Sequence, residues 1–323
     1  VATGGSAMVR SAYRSGNPAI GVGPGNVPVL VDASADLAAA AKRIVDSKAF
    51  DNSILCTNES VLVVEKAVAR QLVSQLERAG AHVLDDADRD RVRDLVFPGG
   101  HFDTRWVGKD AVDIAKAAGV RVPPRTRILV APIDLVVPEE PLAHEKLCPV
   151  LAMVVVETAS RGIDAARAVL RITGEGHSAA IHSTDSRTIM EFSAAVRVLR
   201  VSVNVGNSLG SAGIETNLAP SMTIGTGFFG RSSVGENLEP KHLVNWTRIA
   251  YNADASERMP DFSALSPWRA PEGPVPVYPR ASNEGAPTSP ATVPDLAVEG
   301  APDTLRDEIR RLIIEELNAI VRG

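Results

Sequence analysis

The feature that most constrains the fold is an alternation of short β-branched runs with longer amphipathic runs between residues 60 and 181. Runs typical of buried strands include 61–64, 128–130 and 151–156, and runs with helical periodicity include 67–79 and 165–170. Strands that alternate with helices are typical of an α/β protein with a parallel or mixed sheet. We therefore predict an α/β fold. A later strand-like run, 199–205, leads into the glycine-rich stretch 206–213, which predicts a loop.

Composition narrows the class of protein. The chain has 323 residues, of which 45% are hydrophobic, so it is long enough to bury a sizeable core. No apolar run reaches the roughly eighteen residues that a membrane span needs, so we predict no membrane partner. Lysine and arginine number 34 against 39 acidic residues, and a net charge of -5 argues against a nucleic-acid partner. The composition favours small-molecule chemistry.

The only two cysteines, Cys56 and Cys148, lie far apart, and neither belongs to a Cys-x-x-Cys motif. This spacing predicts neither a structural metal site nor a disulfide scaffold. Cys56 lies in a polar, turn-forming segment just before a strand, which predicts an exposed thiol, and a thiolate is a strong nucleophile. Cys148 lies between Leu147 and Pro149 ahead of an apolar run, which predicts a buried core residue.

The beginning of the chain predicts a turn from a strand into a helix. Glycines in Thr3-Gly4-Gly5-Ser6 would let backbone N–H groups approach a phosphate at the start of the helix. Glycines at such a turn also serve packing alone, so both interpretations stay open. Because the chain starts at Val1 without methionine and close to a strand, we expect a further segment upstream.

The end of the chain divides into two parts. Ten of the 22 prolines fall between Pro260 and Pro302, which predicts an extended, largely disordered linker over 260–302. Residues 303–323 predict an amphipathic helix with Asp303 or Thr304 as its cap. Glu316 interrupts its apolar face and Ile314 lies off that face, which consists of Leu305, Ile309, Leu312, Ile313, Leu317 and Ile320.

Several dispersed motifs, in one order, carry a family resemblance. They are Ala2-Thr3-Gly4-Gly5-Ser6, Gly21-Val22-Gly23-Pro24-Gly25-Asn26, Phe50-Asp51-Asn52 before Cys56, Glu145-Lys146-Leu147-Cys148-Pro149, Gly176-His177 and Leu218-Ala219-Pro220-Ser221-Met222-Thr223. Together they resemble the CoA-acylating branch of the aldehyde dehydrogenase superfamily. The resemblance covers about residues 1–255 and extends to bifunctional aldehyde-alcohol dehydrogenases and to acylating enzymes of bacterial microcompartments.

The resemblance implies an aldehyde dehydrogenase fold and a division of the chain. Residues 1–30 would be the end of an NAD-binding domain, 31–225 the catalytic domain, and 226–259 the last part of the dehydrogenase core. The oxyanion-hole asparagine and the adenine-binding strands of the family would lie upstream of the matched region.

The resemblance also implies a covalent mechanism. Cys56 matches the nucleophile that attacks an aldehyde, after which hydride passes to NAD and a thioacyl-enzyme remains. Glu145 matches the acid that contacts the nicotinamide ribose, while Thr3, Gly4, Gly5, Ser6 and Gly23 match cofactor-binding positions. For Glu145, a solvated surface carboxylate beside Lys146 is the alternative interpretation.

The absence of an acidic residue from one segment indicates which molecule accepts the acyl group. Hydrolytic relatives keep a water-activating glutamate in the window that corresponds to Gly21–Asn26, and this chain has no acid there. A thiol ionises near neutral pH far more easily than water, so coenzyme A is the expected acceptor. His177 matches a histidine that would deprotonate or position that thiol, although a histidine satisfied by loop hydrogen bonds is equally consistent.

We therefore expect a cytoplasmic, homo-oligomeric enzyme that converts a small aldehyde, NAD and coenzyme A into acyl-CoA. Its terminal helix would bind microcompartment shell proteins as an encapsulation peptide. Two alternatives remain open at this point. One is a hydrolytic dehydrogenase that forms the free acid, and the other is an inactive fragment that keeps only oligomerisation and shell targeting.

Overall fold

The structure is a computed structural model, and it describes residues 1–261. The strands are β1 Ala2–Thr3, β2 Gly21–Val22, β3 Val27–Val31, β4 Glu59–Glu65, β5 Ala81–Val83, β6 Ile128–Pro132, β7 Val150–Val156, β8 Ala179–His182 and β9 Val201–Val203. The helices are α1 Ser6–Arg14, α2 Leu37–Ala49, α3 Lys66–Arg78, α4 Asp86–Val96, α5 Ala111–Ala117, α6 Ala159–Ile172, α7 Ser186–Ala195 and α8 Asn207–Gly210. The predicted α/β fold is confirmed.

The main sheet has seven strands in the order β5-β6-β7-β4-β3-β8-β9. Every neighbouring pair is parallel. Strands β1 and β2 form a separate two-stranded parallel sheet. Pro28 lies in the interior strand β3, at the register irregularity between Val27 and Pro28 in the pairing with β4, which is a position where proline is tolerated in a sheet.

Helices cover both faces of this sheet because its central strands are apolar on both sides. In β4, Val61 and Val63 pack into the core formed with α4, α5, α6 and α7. Leu62 and Val64 point the other way, into the core formed with α2 and α3. The alternation follows the two-residue period of a strand. The sheet is therefore a rigid, doubly covered platform for the loops at its edges.

The candidate site lies at the amino ends of these parallel strands. The residues concerned come just before β3, β4, β7, β8 and β9, and they are Asn26, Cys56, Glu145, His177 and Arg200. Open α/β sheets usually bind ligands at the carboxyl ends of their strands. In this chain the chemistry-bearing side chains lie at the opposite edge, because each one belongs to the loop that enters its strand.

One local expectation from the sequence is wrong. The glycine-rich stretch 206–213 is not only a loop, since it contains the short helix α8. Tertiary contacts hold this turn of helix: Ser47 Oγ accepts from Ser208 N at 2.9 Å, and a carboxylate oxygen of Glu59 accepts from Asn207 N at 2.8 Å. Both partners belong to distant parts of the sequence, so the local pattern does not reveal them.

The chain divides into a unit spanning residues 1–247 and a unit that begins at Arg248. The described part of the second unit, 248–261, contains neither helix nor strand. Nearly all of the predicted linker and the whole of the predicted terminal helix lie outside the described residues. The domain boundaries at residues 30, 225 and 259 stay predictions. Among residues 1–261, no helix is both long and apolar enough to cross a membrane.

Candidate active site

A tight turn after α2 places Cys56 at the entrance to β4. Three successive residues of this turn, Asp51, Asn52 and Ser53, have positive φ angles of 47°, 48° and 62°. Asp and Asn tolerate this conformation better than most residues. Asn58 closes the turn, because its Nδ2 donates to the carbonyl oxygens of Ser47 at 2.5 Å and Phe50 at 3.1 Å.

The thiol of Cys56 is only partly accessible, so the expectation of an exposed thiol is wrong. Burial raises the pKa of the thiol to about 12, and the carboxylate of Glu145 raises it further, while Arg200 opposes the shift. The resting cysteine is therefore a thiol at neutral pH. Cys148 is fully buried, as predicted for a core residue.

Gly25 brings the segment 21–26 into contact with Cys56. A Cβ at Gly25 would overlap the carbonyl oxygen of Cys56, and it would lie 3.3 Å from Glu145 Oε1. Only glycine therefore permits this approach. The side chain of Asn26 turns away from the cysteine, because its Nδ2 donates to the carbonyl oxygens of Ala143 at 2.9 Å and Val169 at 3.2 Å.

A hydrogen bond holds Glu145 beside Gly25, because its Oε1 accepts from Gly25 N at 3.0 Å. Burial raises the pKa of its carboxyl to about 7, although Lys48 and Lys146 act in the opposite direction. Lys146 is buried, and its Nζ donates to Ser60 Oγ at 3.1 Å and to the carbonyl oxygen of His144 at 2.7 Å. Glu145 itself is half-buried and bonded to Gly25, so it differs from the freely solvated surface carboxylate of the alternative interpretation.

His177 is completely buried, and its two ring nitrogens differ in environment. Nδ1 lies 2.9 Å from Ser178 Oγ, whereas Nε2 has no hydrogen-bond partner. Burial, and then the charge of Arg200, lower the pKa of the imidazole to about 3. The ring is therefore neutral at physiological pH. The alternative interpretation, a histidine satisfied by loop hydrogen bonds, explains the partner of Nδ1. It does not explain why the buried Nε2 has no partner.

Asn207 joins the cysteine loop to the histidine loop. Its Nδ2 donates to the carbonyl oxygen of Thr57 at 2.7 Å and to Ser178 Oγ at 2.9 Å, and Ser178 Oγ in turn contacts His177. Asn207 is itself fully buried. Sequence reasoning missed this residue, because it lies in the stretch that was interpreted as a loop.

Two buried cations were also missed. Lys48 is fully buried on α2, with its Nζ 3.4 Å from the carbonyl oxygen of Lys146, and burial lowers its pKa to about 8. Arg200 is 4% exposed, just before β9. A lysine in an otherwise apolar helix face was the one available signal, since Lys48 follows Ile44 and Val45 at helical spacing.

The predicted cofactor residues divide into two groups. Ser6 and Gly23 line one cleft of about 290 Å³, together with Tyr13, Pro24 and Arg231. Glu145 lies outside that cleft, beside Gly25. The structure thus brings Ser6 and Gly23 together, and it links Glu145 to the cysteine through the intervening glycine.

The turn over Thr3, Gly4, Gly5 and Ser6 has the expected strand-to-helix geometry, with α1 beginning at Ser6. No side chain caps the start of α1, and its first turn carries no acid. Free backbone N–H groups at a helix start suit a phosphate, so these residues fit a dinucleotide cofactor.

Comparison with known proteins identifies the family of the chain. The profile of the aldehyde dehydrogenase family matches residues 2–216. The chain belongs to the aldehyde dehydrogenase family.

Similar proteins include an aldehyde-alcohol dehydrogenase and an acetylating aldehyde dehydrogenase. The chain is 39% identical to the aldehyde-alcohol dehydrogenase of Clostridium acetobutylicum over 255 residues. This alignment covers 77% of this chain and 30% of the relative. It resembles the structure of an acetylating aldehyde dehydrogenase from Geobacillus thermoglucosidasius, with a TM-score of 0.76, 35% identity, and coverage of 80% of this chain and 57% of that one.

A microcompartment enzyme is also similar. The propionaldehyde dehydrogenase from the fucose utilisation microcompartment of Clostridium phytofermentans matches with a TM-score of 0.66 and 27% identity, covering 72% of this chain and 52% of that one. The chain thus spans about half the length of these two structures and 30% of the Clostridium acetobutylicum relative.

Proposed function

We propose that this chain carries the catalytic cysteine of an NAD-dependent, CoA-acylating aldehyde dehydrogenase that acts on a short aldehyde. The Cys56 sulfur would add to the aldehyde carbon and give a thiohemiacetal. Loss of hydride from that carbon would leave a thioester on Cys56, and NAD, when bound, supplies the hydride acceptor. Attack by the coenzyme A thiolate would then release acyl-CoA and regenerate the Cys56 thiolate.

The observation that carries this proposal is the contact of Cys56 with a segment that offers no acid. Gly25 packs against the cysteine carbonyl, and the only polar side chain of the window 21–26 is the amide of Asn26, which is not a base and whose Nδ2 donates to the carbonyl oxygens of Ala143 and Val169. Water at the thioester would therefore lack the base that hydrolysis needs at this position. A thiol needs much less help, because its own ionisation lies near neutral pH.

His177 also supports coenzyme A as the acceptor of the acyl group. The tautomer that donates Nδ1–H to Ser178 Oγ leaves the unpartnered Nε2 free to accept a hydrogen bond. Ser178 Oγ already accepts from Asn207, so it is fixed in place. We propose that Nε2 accepts a hydrogen bond from the thiol of coenzyme A and positions it for acyl transfer, because a pKa of about 3 makes this imidazole a weak base.

Hydrolysis of the thioester is the second candidate function, and the position of Glu145 favours it. Glu145 lies beside Gly25 and Cys56, and a carboxyl pKa of about 7 suits a general base at neutral pH. Glu145 would then activate water against the thioester. The two functions differ in product, since hydrolysis releases the free acid and needs no coenzyme A.

The test is NADH formation from propionaldehyde with and without coenzyme A, with the product identified by mass spectrometry. The proposal predicts CoA-dependent formation of propionyl-CoA that is lost in Cys56→Ala and retained in Cys148→Ser. CoA-independent formation of propionate, lost in Glu145→Gln, would favour hydrolysis. Absence of both products, and of any acyl adduct on Cys56, would contradict an enzymatic role for this chain.

The role of His177 has its own test in the same assay. His177→Gln should still form one NADH per site in a rapid first phase, because formation of the thioester does not require coenzyme A. Acyl transfer to coenzyme A should then slow by about 10²-fold, because the thiol is no longer positioned at the thioester. An unchanged second phase would contradict the assignment.

We also propose that residues 303–323 direct the enzyme into a bacterial microcompartment by binding shell proteins. The support is the apolar stripe of this segment and the similarity to a microcompartment enzyme. Substitution of Leu312 by Asp, on the stripe, should abolish co-purification with shell proteins. Ile314→Asp, off the stripe, is the matched control and should leave it intact, while both variants keep their catalytic activity.

A further inference from the structure

Two side chains from distant segments hold the backbone of Gly21. Its N–H donates to the phenol oxygen of Tyr13 at 2.8 Å, and its carbonyl oxygen accepts from Ser232 Oγ. A Cβ at Gly21 would lie 2.5 Å from Val9 Cγ1 and 2.8 Å from Tyr13 Cε2, so helix α1 packs directly on this glycine. Gly21 is therefore fixed both by α1 and by the segment that contains Ser232.

The phenol oxygen of Tyr13 joins three segments of the chain. Besides the bond from Gly21 N, it accepts from Ser233 N at 3.0 Å and lies 3.2 Å from Ser233 Oγ. A hydroxyl can accept two hydrogen bonds and donate one, so these contacts use its full capacity. Helix α1, strand β2 and residues 232–233 thus meet at one oxygen atom.

Gly21 begins the segment 21–26, which reaches the cysteine loop. Four residues further along, Gly25 lies against the carbonyl oxygen of Cys56, and its N–H donates to Glu145 Oε1 at 3.0 Å. Pro24 restricts the backbone between the two glycines. Because the connection is short and partly rigid, the position of Gly21 limits where Gly25 lies.

We propose that Tyr13 and Ser232 are positioning residues of the candidate active site, which hold the segment 21–26 against the Cys56 loop. Loss of either hydrogen bond would let the segment open away from the cysteine. The inference rests on the proposed function for its catalytic consequence. In the reaction, a fixed segment would keep the Cys56 loop in the place where the aldehyde and the hydride acceptor meet.

The experiment measures alkylation of Cys56 by iodoacetamide in the full chain at pH 8.5, with peptide mass spectrometry to separate Cys56 from Cys148. It uses neither aldehyde, NAD nor coenzyme A, so a failure of this proposal is distinguishable from a failure of the proposed enzymatic function. Tyr13→Phe keeps the ring and removes the oxygen that accepts from Gly21 N. Ser232→Ala removes the hydroxyl that donates to the Gly21 carbonyl oxygen.

Two further variants serve as controls. Ser232→Thr keeps a hydroxyl at position 232 and should label at the rate of the unchanged chain. Ser193→Ala is the matched serine control, because Ser193 Oγ also donates to a backbone carbonyl oxygen, that of Ile189 at 2.7 Å, within α7. It should leave the labelling of Cys56 unchanged.

Tyr13→Phe and Ser232→Ala should each label Cys56 about two- to tenfold faster, the rise in the open population of a segment that loses one net hydrogen bond. Cys148 should stay unlabelled, since local opening does not expose the core. Unchanged rates in both variants would overturn the proposal. Joint labelling of Cys56 and Cys148 would overturn it too, because the two side chains would then only stabilise the whole fold, and fast labelling of Ser232→Thr would overturn the role of the hydroxyl.

A measurement on the unsubstituted chain covers the case in which the variants do not fold. In residue-resolved hydrogen exchange, the amide of Gly21 should exchange at least about tenfold more slowly than the same amide in an unstructured peptide, because the phenol oxygen is its partner. Exchange of this amide at the rate of the unstructured peptide would overturn the proposal.

Discussion

The α-carbon of Gly25 lies against the carbonyl oxygen of Cys56, so closely that a Cβ at this position would overlap that oxygen. The contact joins the entrance of β3 to the entrance of β4. At the same glycine, the backbone N–H of Gly25 donates a hydrogen bond to Glu145 Oε1 at 3.0 Å. One glycine thus sets the spacing between the nucleophile loop and the acid beside it.

Gly25→Ala should displace the Cys56 loop and impair the site. Overpacking of this kind costs about 1–3 kcal/mol of stability. We expect at least a tenfold loss of turnover, because displacements of about 1 Å in an active site commonly cost about 10²-fold. Urea unfolding and the NADH assay measure the two effects.

A second glycine provides the control for Gly25→Ala. Gly119 has a φ of +73° and open space around it, so Gly119→Asn should leave both stability and turnover close to those of the unchanged chain. A Gly25→Ala variant that behaves like Gly119→Asn would contradict the close contact with Cys56.

Asn207→Ala should destabilise the fold and disorder the histidine loop. The substitution leaves the buried carbonyl of Thr57 and the hydroxyl of Ser202 without these partners, and it removes one of the two partners of the Ser178 hydroxyl. Loss of a buried hydrogen-bond partner costs about 1–3 kcal/mol. In turnover, the acyl-transfer phase should slow more than the first NADH phase, since Ser178 orients His177. Equal slowing of both phases would contradict this link.

His177 makes the stability of the chain sensitive to acid. The pKa of this imidazole is about 3 in the folded chain and has its ordinary value of about 6.5 in the unfolded chain. Between these two pH values the unfolded chain therefore binds a proton that the folded chain does not bind. This contribution to stability is therefore complete above pH 6.5 and is lost as the pH falls from 6.5 towards 3, by about 1.4 kcal/mol per pH unit.

Urea unfolding of the unchanged chain and of His177→Gln at pH 7.0 and pH 5.0 measures this contribution. The variant should lose less stability on acidification, because glutamine does not titrate. His182, whose pKa is lowered to about 4, contributes in the same direction and remains in both proteins. An identical pH dependence in the two proteins would show that the His177 ring is not neutral when folded.

Alkylation of native Cys56 should rise steeply with pH. Because the pKa of its thiol is about 12, the thiolate fraction and hence the rate should increase about tenfold per pH unit between pH 7 and pH 9.5. Cys148, which is fully buried, should stay unlabelled in the same range. A rate that levels off above pH 8 would mean that the thiol ionises far more easily than its burial implies.

Much of the fold was determined by the sequence pattern. The strand runs at 61–64, 128–130 and 151–156 and the helical run at 67–79 correspond to β4, β6, β7 and α3, because apolar side chains on both faces of a strand, or along one stripe of a helix, demand burial. The core position of Cys148 followed from the same reasoning. The motifs around Cys56, Glu145 and His177 pointed to the aldehyde dehydrogenase family, which the family match confirms.

What only the tertiary structure decided is the environment of those residues. The polar neighbours of Cys56 suggested exposure, yet the residue is half-buried, and burial together with the charge of Glu145, remote in sequence, raises the pKa of its thiol. Lys48 and Arg200 are ordinary charged residues in the sequence, and they become buried cations only when five strand entrances meet at one edge of the sheet. Burial and ionisation are properties of the assembled packing, since the desolvation of a charge depends on every segment that surrounds it.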